Sequence, residues 1–375
     1  MNLPIGYFRF HKNPFLNYQL NRWYSLGFTK KEDIELIGSK VKTFSDYVKE
    51  FSLASEKAIQ ESRLQNAAFY NRASEFLIDP FSELKIPTYH KFIELFDKAF
   101  STEKFVRHSV PYKKSYLSCI RIPSLTTETK GTIIGCGGFD SFIEEFYCIW
   151  KFFAESGYEV IAFEGPGQGG SLRKYNLPFD HDWEKPTSAV LDYFKIENAI
   201  ALGISMGGYW ILRASAFEKR ITKVIAMPPV YDWLEMTNSF NRKLLSWMLP
   251  HTKMMNFFIR LKMNIGTLKH TINQALFIQN KKEPMDAVNW MLGMNKEHLN
   301  SHLVTQDVLL LGGEGDAFQP PVLLKKQKDA LINAKSVSER IFTREESAAE
   351  HCQIGNIGIA LETMLSWIET GTVYK

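Results

Sequence analysis

The chain has 375 residues, 45% hydrophobic and 23% charged, with a formal net charge of +4. That length exceeds one minimal domain and suits a large α/β core carrying an accessory part. The charge is too small and too dispersed for a nucleic-acid binder, and Cys119, Cys136, Cys148 and Cys352 have neither CxxC spacing nor the density of a disulfide scaffold.

The opening MNLPIGYFRFHKNPF has no apolar stretch of signal-peptide length and no small-residue cleavage site. No run approaches 18 uninterrupted apolar residues. A cytoplasmic location with reduced thiols and no stable membrane anchor is therefore expected.

Residues 1–105 read as a helical region. Apolar and aromatic residues recur at spacings of three and four through NYQLNRWYSLGF and DYVKEFSLASEKAIQESRLQNAAFYNRASEFL, broken by Asp79-Pro80 and Ile86-Pro87. From 106 the texture changes. KFVRHSVPYKK and YLSCIRIP alternate as strands do, and GTIIGCGG, YEVIAFEG, ENAIALGIS, ITKVIAMPPV, DVLLLGGEGD and SVSERIFTRE follow as short runs separated by helical windows. That alternation predicts a mostly parallel sheet buried on both faces, spanning 106–230 and 301–375. Gly, Pro, Ser and Asp collect at the C-terminal ends of the runs, the edge where such a sheet places its ligand site.

Residues 231–300 interrupt the alternation as a helical insertion, read as a cap. It holds eight of the twelve methionines, and its basic residues outnumber its acidic ones by nine to five. Methionine suits an adaptable apolar pocket, while a small core of the cap itself explains the same residues equally well. Within it, WMLPHTKMMNFFIRLKM mixes apolar residues with Lys253, Arg260 and Lys262, a pattern open to transient membrane contact and more simply read as an ordinary amphipathic helix.

Ser205 sits in Gly203-Ile204-Ser205-Met206-Gly207, after the strand ENAIALGI and before the helix MGGYWILRASAFEKR. Strand, sharp turn and helix are the context of a nucleophile elbow. Gly203 and Gly207 give the turn small neighbours, Gly208 lets the helix pack close, and the helix N-terminus aims at the developing oxyanion.

A serine nucleophile needs a base, and the base needs an orienting carboxylate, following the serine as acid and then histidine. In DVLLLGGEGDAFQPP, Asp316 lies just past a strand in a Gly-rich loop, and His351 lies in the loop before the closing helix. Asp316 also reads as a helix cap, and Asp232 after MPPV is the alternative acid. The oxyanion hole is expected from the N–H groups of Met206 and, in the loop after GTIIGCGG, of Phe139. Asp140 and Glu144 are candidate substrate contacts, though a solvated helix start explains them equally well.

Two further patterns argue against themselves. Gly165-Pro166-Gly167-Gln168-Gly169-Gly170 satisfies GxGxxG, but SLRKYNLPFDHDW after it reads as loop, so no dinucleotide site is expected. Glu297, His298 and His302 lack the HExxH order, so no zinc is expected.

GCGGFDS (135–141), AFEGPGQGGS (162–171), GISMGG (203–208), GEGDAFQPP (313–321), AEHCQIGN (349–356) and NYQLNRWYSLG (17–27) together resemble the α/β-hydrolases. The closer likeness is to the branch with a long helical N-terminal region, which includes 2,6-dihydroxypseudooxynicotine hydrolases, fungal polyketide-shortening hydrolases and fermentation-respiration-switch-like esterases. Glu164 departs from the Asp expected before the GPGQG turn. The resemblance implies an α/β-hydrolase fold and a Ser205–His351–Asp316 triad. The triad would cleave an ester, or a carbon–carbon bond beside a ketone, in a mid-sized, partly apolar small-molecule substrate, without metal or organic cofactor. A thioesterase or acyltransferase using the same triad, and a non-catalytic binding protein on the same fold, are the alternatives. Product analysis with added acceptors separates the first, and a missing triad member would mark the second. A homodimer is left open.

Overall fold

In a computed structural model, residues 3–236, 243, 247–263 and 266–373 are described. Five helices come first: α1 (Pro14–Ser25), α2 (Lys31–Lys40), α3 (Phe44–Gln60), α4 (Leu64–Leu77) and α5 (Lys85–Ala99). Local chemistry sets their starts. Asn13 accepts a hydrogen bond from Leu16 N ahead of Pro14, and Thr43 with Asp46 forms a reciprocal capping box at α3. Trp23, Tyr47, Phe51, Phe69 and Tyr70 are fully enclosed among these helices.

The remainder builds one eight-stranded sheet. Its strands are β1 (Val106–Tyr112), β2 (Ser115–Ile122), β3 (Gly131–Cys136), β4 (Tyr158–Glu164), β5 (Ala199–Ile204), β6 (Ile221–Met227), β7 (Asp307–Gly313) and β8 (Ser336–Phe342). The order is β1-β2-β4-β3-β5-β6-β7-β8. β1 with β2 and β2 with β4 pair antiparallel; every other pair is parallel. Side chains alternate between two cores, as the pleat requires. Ile133, Leu202, Ile204, Leu309 and Leu311 face one core, shared with the N-terminal helices, while Ile134, Ala201, Val308 and Leu310 face the other.

Helices α6 (Tyr147–Glu155), α7 (Gly169–Arg173), α8 (Glu184–Phe194) and α9 (Met206–Phe217) connect the first six strands. Between β6 and β7 the described residues contain α10 (Thr252–Lys262), α11 (Gly266–Gln279), α12 (Pro284–Gly293) and α13 (Lys296–Leu299); α14 (Pro321–Ala330) and α15 (Ile357–Thr370) complete the chain. One expectation changes. α7 opens at Gly169, where SLRKYNLPFDHDW reads as loop, but it runs only five residues before the chain leaves it. From β3 the chain moves to β4 on one side and later to β5 on the other, so a crevice forms at the C-terminal ends of β3 and β5.

Candidate active site

Ser205 stands in that crevice between β5 and α9, at φ 59° and ψ −125°. A non-glycine residue there stores strain of order 1–3 kcal/mol that surrounding contacts must hold. Ser205 N donates to Met227 O at 2.6 Å. The turn tolerates no bulk: a methyl group at Gly203 would lie 2.1 Å from Gly207 O, and one at Gly208 would lie 2.3 Å from Pro228 O.

His351 approaches from the loop after β8, its Nε2 2.8 Å from Ser205 Oγ. Its Nδ1 lies 2.8 Å from Asp316 Oδ2. A carboxylate only accepts, so Nδ1 carries the proton and Nε2 is left to accept from the serine hydroxyl. The other oxygen of Asp316 accepts from Phe318 N at 2.9 Å and Gln319 N at 2.8 Å, so the same side chain also caps its turn. Asp232 is elsewhere: buried, it accepts from Leu234 N at 2.8 Å and has no contact with the histidine. Burial resists the charge on His351, but Cys352 and Asp316 together raise its proton affinity well above that of ordinary imidazole.

Met206 opens α9, so its N–H has no partner within the helix. Gly138 lies against it; a methyl group there would be 2.8 Å from Ser205 Cβ and 3.2 Å from Met206 N. Gln168, from the GPGQG turn, donates through Nε2 to Gly137 O at 2.9 Å and Gly138 O at 2.8 Å, and accepts from Gly165 N at 2.9 Å. In a trans peptide the N–H points opposite the carbonyl. Holding Gly138 O on the Gln168 side therefore turns the Phe139 N–H the other way.

The loop is clamped further along. Arg72 donates to Asp140 O at 2.5 Å, Glu145 accepts from Phe142 N at 3.0 Å, and Glu164 accepts from Ile143 N at 3.2 Å and Gly170 N at 2.5 Å. Glu164 thus ties the loop after β3 to the turn after β4. Burial, reinforced by Glu144, raises its carboxyl to about 8. Behind the loop, Arg72 and Arg22 both grip Glu145, at 2.6 and 2.5 Å. Arg72, Lys85 and Arg173 all pair with Glu75, with Lys85 at 3.2 Å and Arg173 at 3.1 Å. Burial would raise the Glu75 carboxyl, yet Lys85, Arg72 and Arg173 hold it at about 2. The N-terminal helices and the sheet-bearing core are thereby joined through buried charge.

A cavity of about 210 Å³ opens over Ser205 and His351. One face of α1 contributes Phe15, Tyr18, Gln19 and Arg22 at helical spacing, with Leu26 beyond it and Phe76 from α4. Phe139 and Trp290 form another wall, their rings 4.9 Å apart. Asp140 lines the cavity, as its position in the sequence suggests. Glu144 does not; it is buried in an ion pair with Arg107 at 2.5 Å. Among the described residues, Met291 of the cap lines the cavity, together with Met206 and Met227 of the core. Met285 and Met294 are buried, and Met294 packs into the core beneath the cap helices.

Sequence reasoning did not single out Tyr18, Arg22, Gln168 or Cys352. Gln168 stood in a quoted motif but was read as part of a turn, and the cavity-facing stripe of α1 was visible only as amphipathic spacing. Among the described residues, no group of three or more His, Cys, Asp or Glu is arranged to hold a metal ion, and no helix is long and apolar enough to cross a membrane.

A strained serine on a strand–helix turn, backed by histidine and carboxylate at the switch point of a mostly parallel sheet, is the architecture of one fold family. The chain belongs to the alpha/beta hydrolase fold family, whose model matches residues 133–337. It is similar to the hydrolyase poxO of Penicillium oxalicum, 29% identical over 201 residues, covering 49% of this chain and 47% of the relative. Hydrolase acrC of Aspergillus aculeatus is 32% identical over 204 residues, covering 46% and 47%. This chain thus spans about half the length of the curated relatives it matches. The structure of 2,6-dihydroxy-pseudo-oxynicotine hydrolase superposes with a TM-score of 0.63 at 17% identity, covering 93% of this chain and 94% of that one. That likeness reaches the N-terminal helices as well as the sheet, and it concerns the fold alone.

Proposed function

We propose that the protein is a serine hydrolase that cleaves an ester, or a carbon–carbon bond beside a ketone, through an acyl-enzyme on Ser205. The observation that carries this reading is the relay from Ser205 Oγ to His351 Nε2 and from His351 Nδ1 to Asp316, each step 2.8 Å, on the floor of the cavity. Hydrolase-named relatives and the family membership support it.

In this reading His351 takes the serine proton as Oγ attacks the substrate carbonyl. Asp316 holds the imidazole by Nδ1–H and stabilises the imidazolium. The N–H groups of Met206 and Phe139 receive the oxyanion, with the positive end of α9 behind them. His351 then protonates the leaving alkoxide, or the carbanion that becomes a ketone's α-carbon. Water, deprotonated by the same histidine, releases the acyl group and frees Ser205.

The aromatic walls Phe15, Phe76, Phe139 and Trp290 suit a mid-sized, partly apolar acyl compound. Phe15 and Phe76 come from the N-terminal helices and Trp290 from the cap, and these two parts act as the cover that excludes water.

Stopped-flow hydrolysis of p-nitrophenyl acetate tests the route. A burst of one nitrophenolate per protein in the wild type, lost in Ser205→Ala and in His351→Ala, is expected. A burst that survives in folded Ser205→Ala overturns the assignment.

A further inference from the structure

We infer that α10 is a peripheral docking surface for an anionic lipid bilayer. No residue of this helix is buried. Its inner side, with Asn256, Ile259 and Met263, sits on the cap: Asn256 accepts from Met285 N at 2.8 Å, and Ile259 and Met263 pack against the core. At 100° per residue the opposite side carries Met254, Phe257, Phe258 and Leu261. Phe257 is 60% exposed, Phe258 46% and Leu261 58%, and Trp247 just before the helix is 64% exposed. Lone exposed apolar residues need no explanation, but Phe257, Phe258 and Leu261 share one side of a single helix and form a patch.

The charged side chains of the helix itself are all basic. Lys253 and Arg260 lie along one edge of the apolar strip and Lys262 along the other, all exposed. Arg260 shares its charge with Glu283 at 2.7 Å. Between Glu235 and Glu283 the sequence contains eight lysines and arginines and no acidic residue. An apolar strip of Phe and Leu, with Lys253 on one edge and Lys262 on the other, is the arrangement of helices that lie in the headgroup plane of anionic membranes. A two-fold pairing of two copies through this face is disfavoured, because it would bring the same basic rims together. An ordinary amphipathic cap helix would turn its aromatic residues inward, and this one turns them out.

The location links the surface to the cavity. α10 packs on α12, and α12 provides Trp290 and Met291 to the cavity wall. A bilayer seated on α10 therefore lies one helix layer from Ser205, placing an amphiphilic substrate dissolved in the lipid next to the site. Membrane binding itself does not depend on the hydrolase reading.

Sedimentation with vesicles of phosphatidylcholine alone, or of phosphatidylcholine with phosphatidylserine, tests this on the full chain. The wild type is expected to bind the anionic vesicles at least about tenfold better, since each basic residue near the surface is worth roughly fivefold, and binding should weaken as salt is added. The double variants Phe257→Ser/Phe258→Ser and Lys253→Glu/Lys262→Glu should each lose that binding while keeping wild-type turnover of p-nitrophenyl butyrate in solution. Absence of binding by the wild type, or equal binding by both variants, overturns the inference. Concentration-dependent dimerisation abolished by Phe257→Ser/Phe258→Ser, with no vesicle binding, assigns the face to a second copy instead.

Discussion

Gln168 offers a test of how the site is held together. Gln168→Met keeps the length and approximate volume of the side chain but removes the donor to Gly137 O and Gly138 O and the acceptor for Gly165 N. Gln168 is 3% exposed, so water does not readily replace it. Each buried backbone group left unpaired costs about 1–3 kcal/mol, and urea unfolding should report a loss of about 2–4 kcal/mol in total, after partial relaxation. The catalytic effect is separate. Deleting an oxyanion-hole donor outright costs about 2.7–4 kcal/mol. Here the Phe139 N–H remains and only the anchor of its peptide is lost, so about 1–2 kcal/mol is expected, roughly tenfold in kcat. Because the bond matters in the transition state and not in the ground state, KM for p-nitrophenyl butyrate should stay within about twofold. A boronic acid that mimics the tetrahedral intermediate should weaken by the same factor as kcat. A folded variant with unchanged kcat, or with a raised KM alone, refutes the argument that Gln168 orients this donor.

Three further outcomes follow from the same geometry. In the proposed mechanism the neutral form of His351 is the base, and Cys352 and Asp316 raise its proton affinity against burial; kcat/KM should therefore climb with pH along a limb above the ordinary imidazole value of about 6.5. A limb at or below that value contradicts the direction of this shift. Gly208→Ala forces a methyl group to 2.3 Å from Pro228 O, which should cost about 1–3 kcal/mol in urea unfolding; wild-type stability would mean the elbow is looser than its contacts indicate. Glu164 rises from 4.5 to about 8 on folding, so the folded state keeps a proton that the unfolded chain releases. Its contribution to stability is full below about pH 4.5 and is lost as pH rises to about 8. Glu164→Gln should flatten that part of the stability profile, and an identical slope in the variant would assign the loss to another group.

The meeting of Ser205, His351 and Asp316 was legible in the sequence because each of the three has a local signature. Ser205 is marked by flanking glycines between a strand and a helix. Asp316 and His351 are marked by chain order and by their positions after apolar runs, and the geometry brings all three together. Asp316 closes the turn at Phe318 and Gln319 and does not cap the helix after it, whose N-cap is Pro320, while its other oxygen meets His351. What surrounds the site was less legible, because it depends on contacts between residues far apart in the chain. Arg22 and Arg72 meet Glu145 across separations that no periodicity reveals. Glu144 and Asp140 stand four residues apart in one loop, yet one is drawn off by Arg107 and the other lines the cavity. The Glu164 departure matters for the same reason: its two oxygens link Ile143 N to Gly170 N, a bridge invisible until β3 and β4 lie side by side. The methionine-rich composition of residues 231–300 was a poor guide, since packing beneath the cap and the α10 surface account for more of it than the cavity does.

The measurement closest to the central claim is intact-mass analysis of wild type and Ser205→Ala after treatment with a fluorophosphonate. The wild type should gain one phosphonyl group per chain, mapped to the peptide containing Ser205, and Ser205→Ala should gain none. A folded wild type that neither reacts nor turns over any acyl substrate, or a Ser205→Ala variant that labels as the wild type does, would contradict the assignment of Ser205 as the nucleophile.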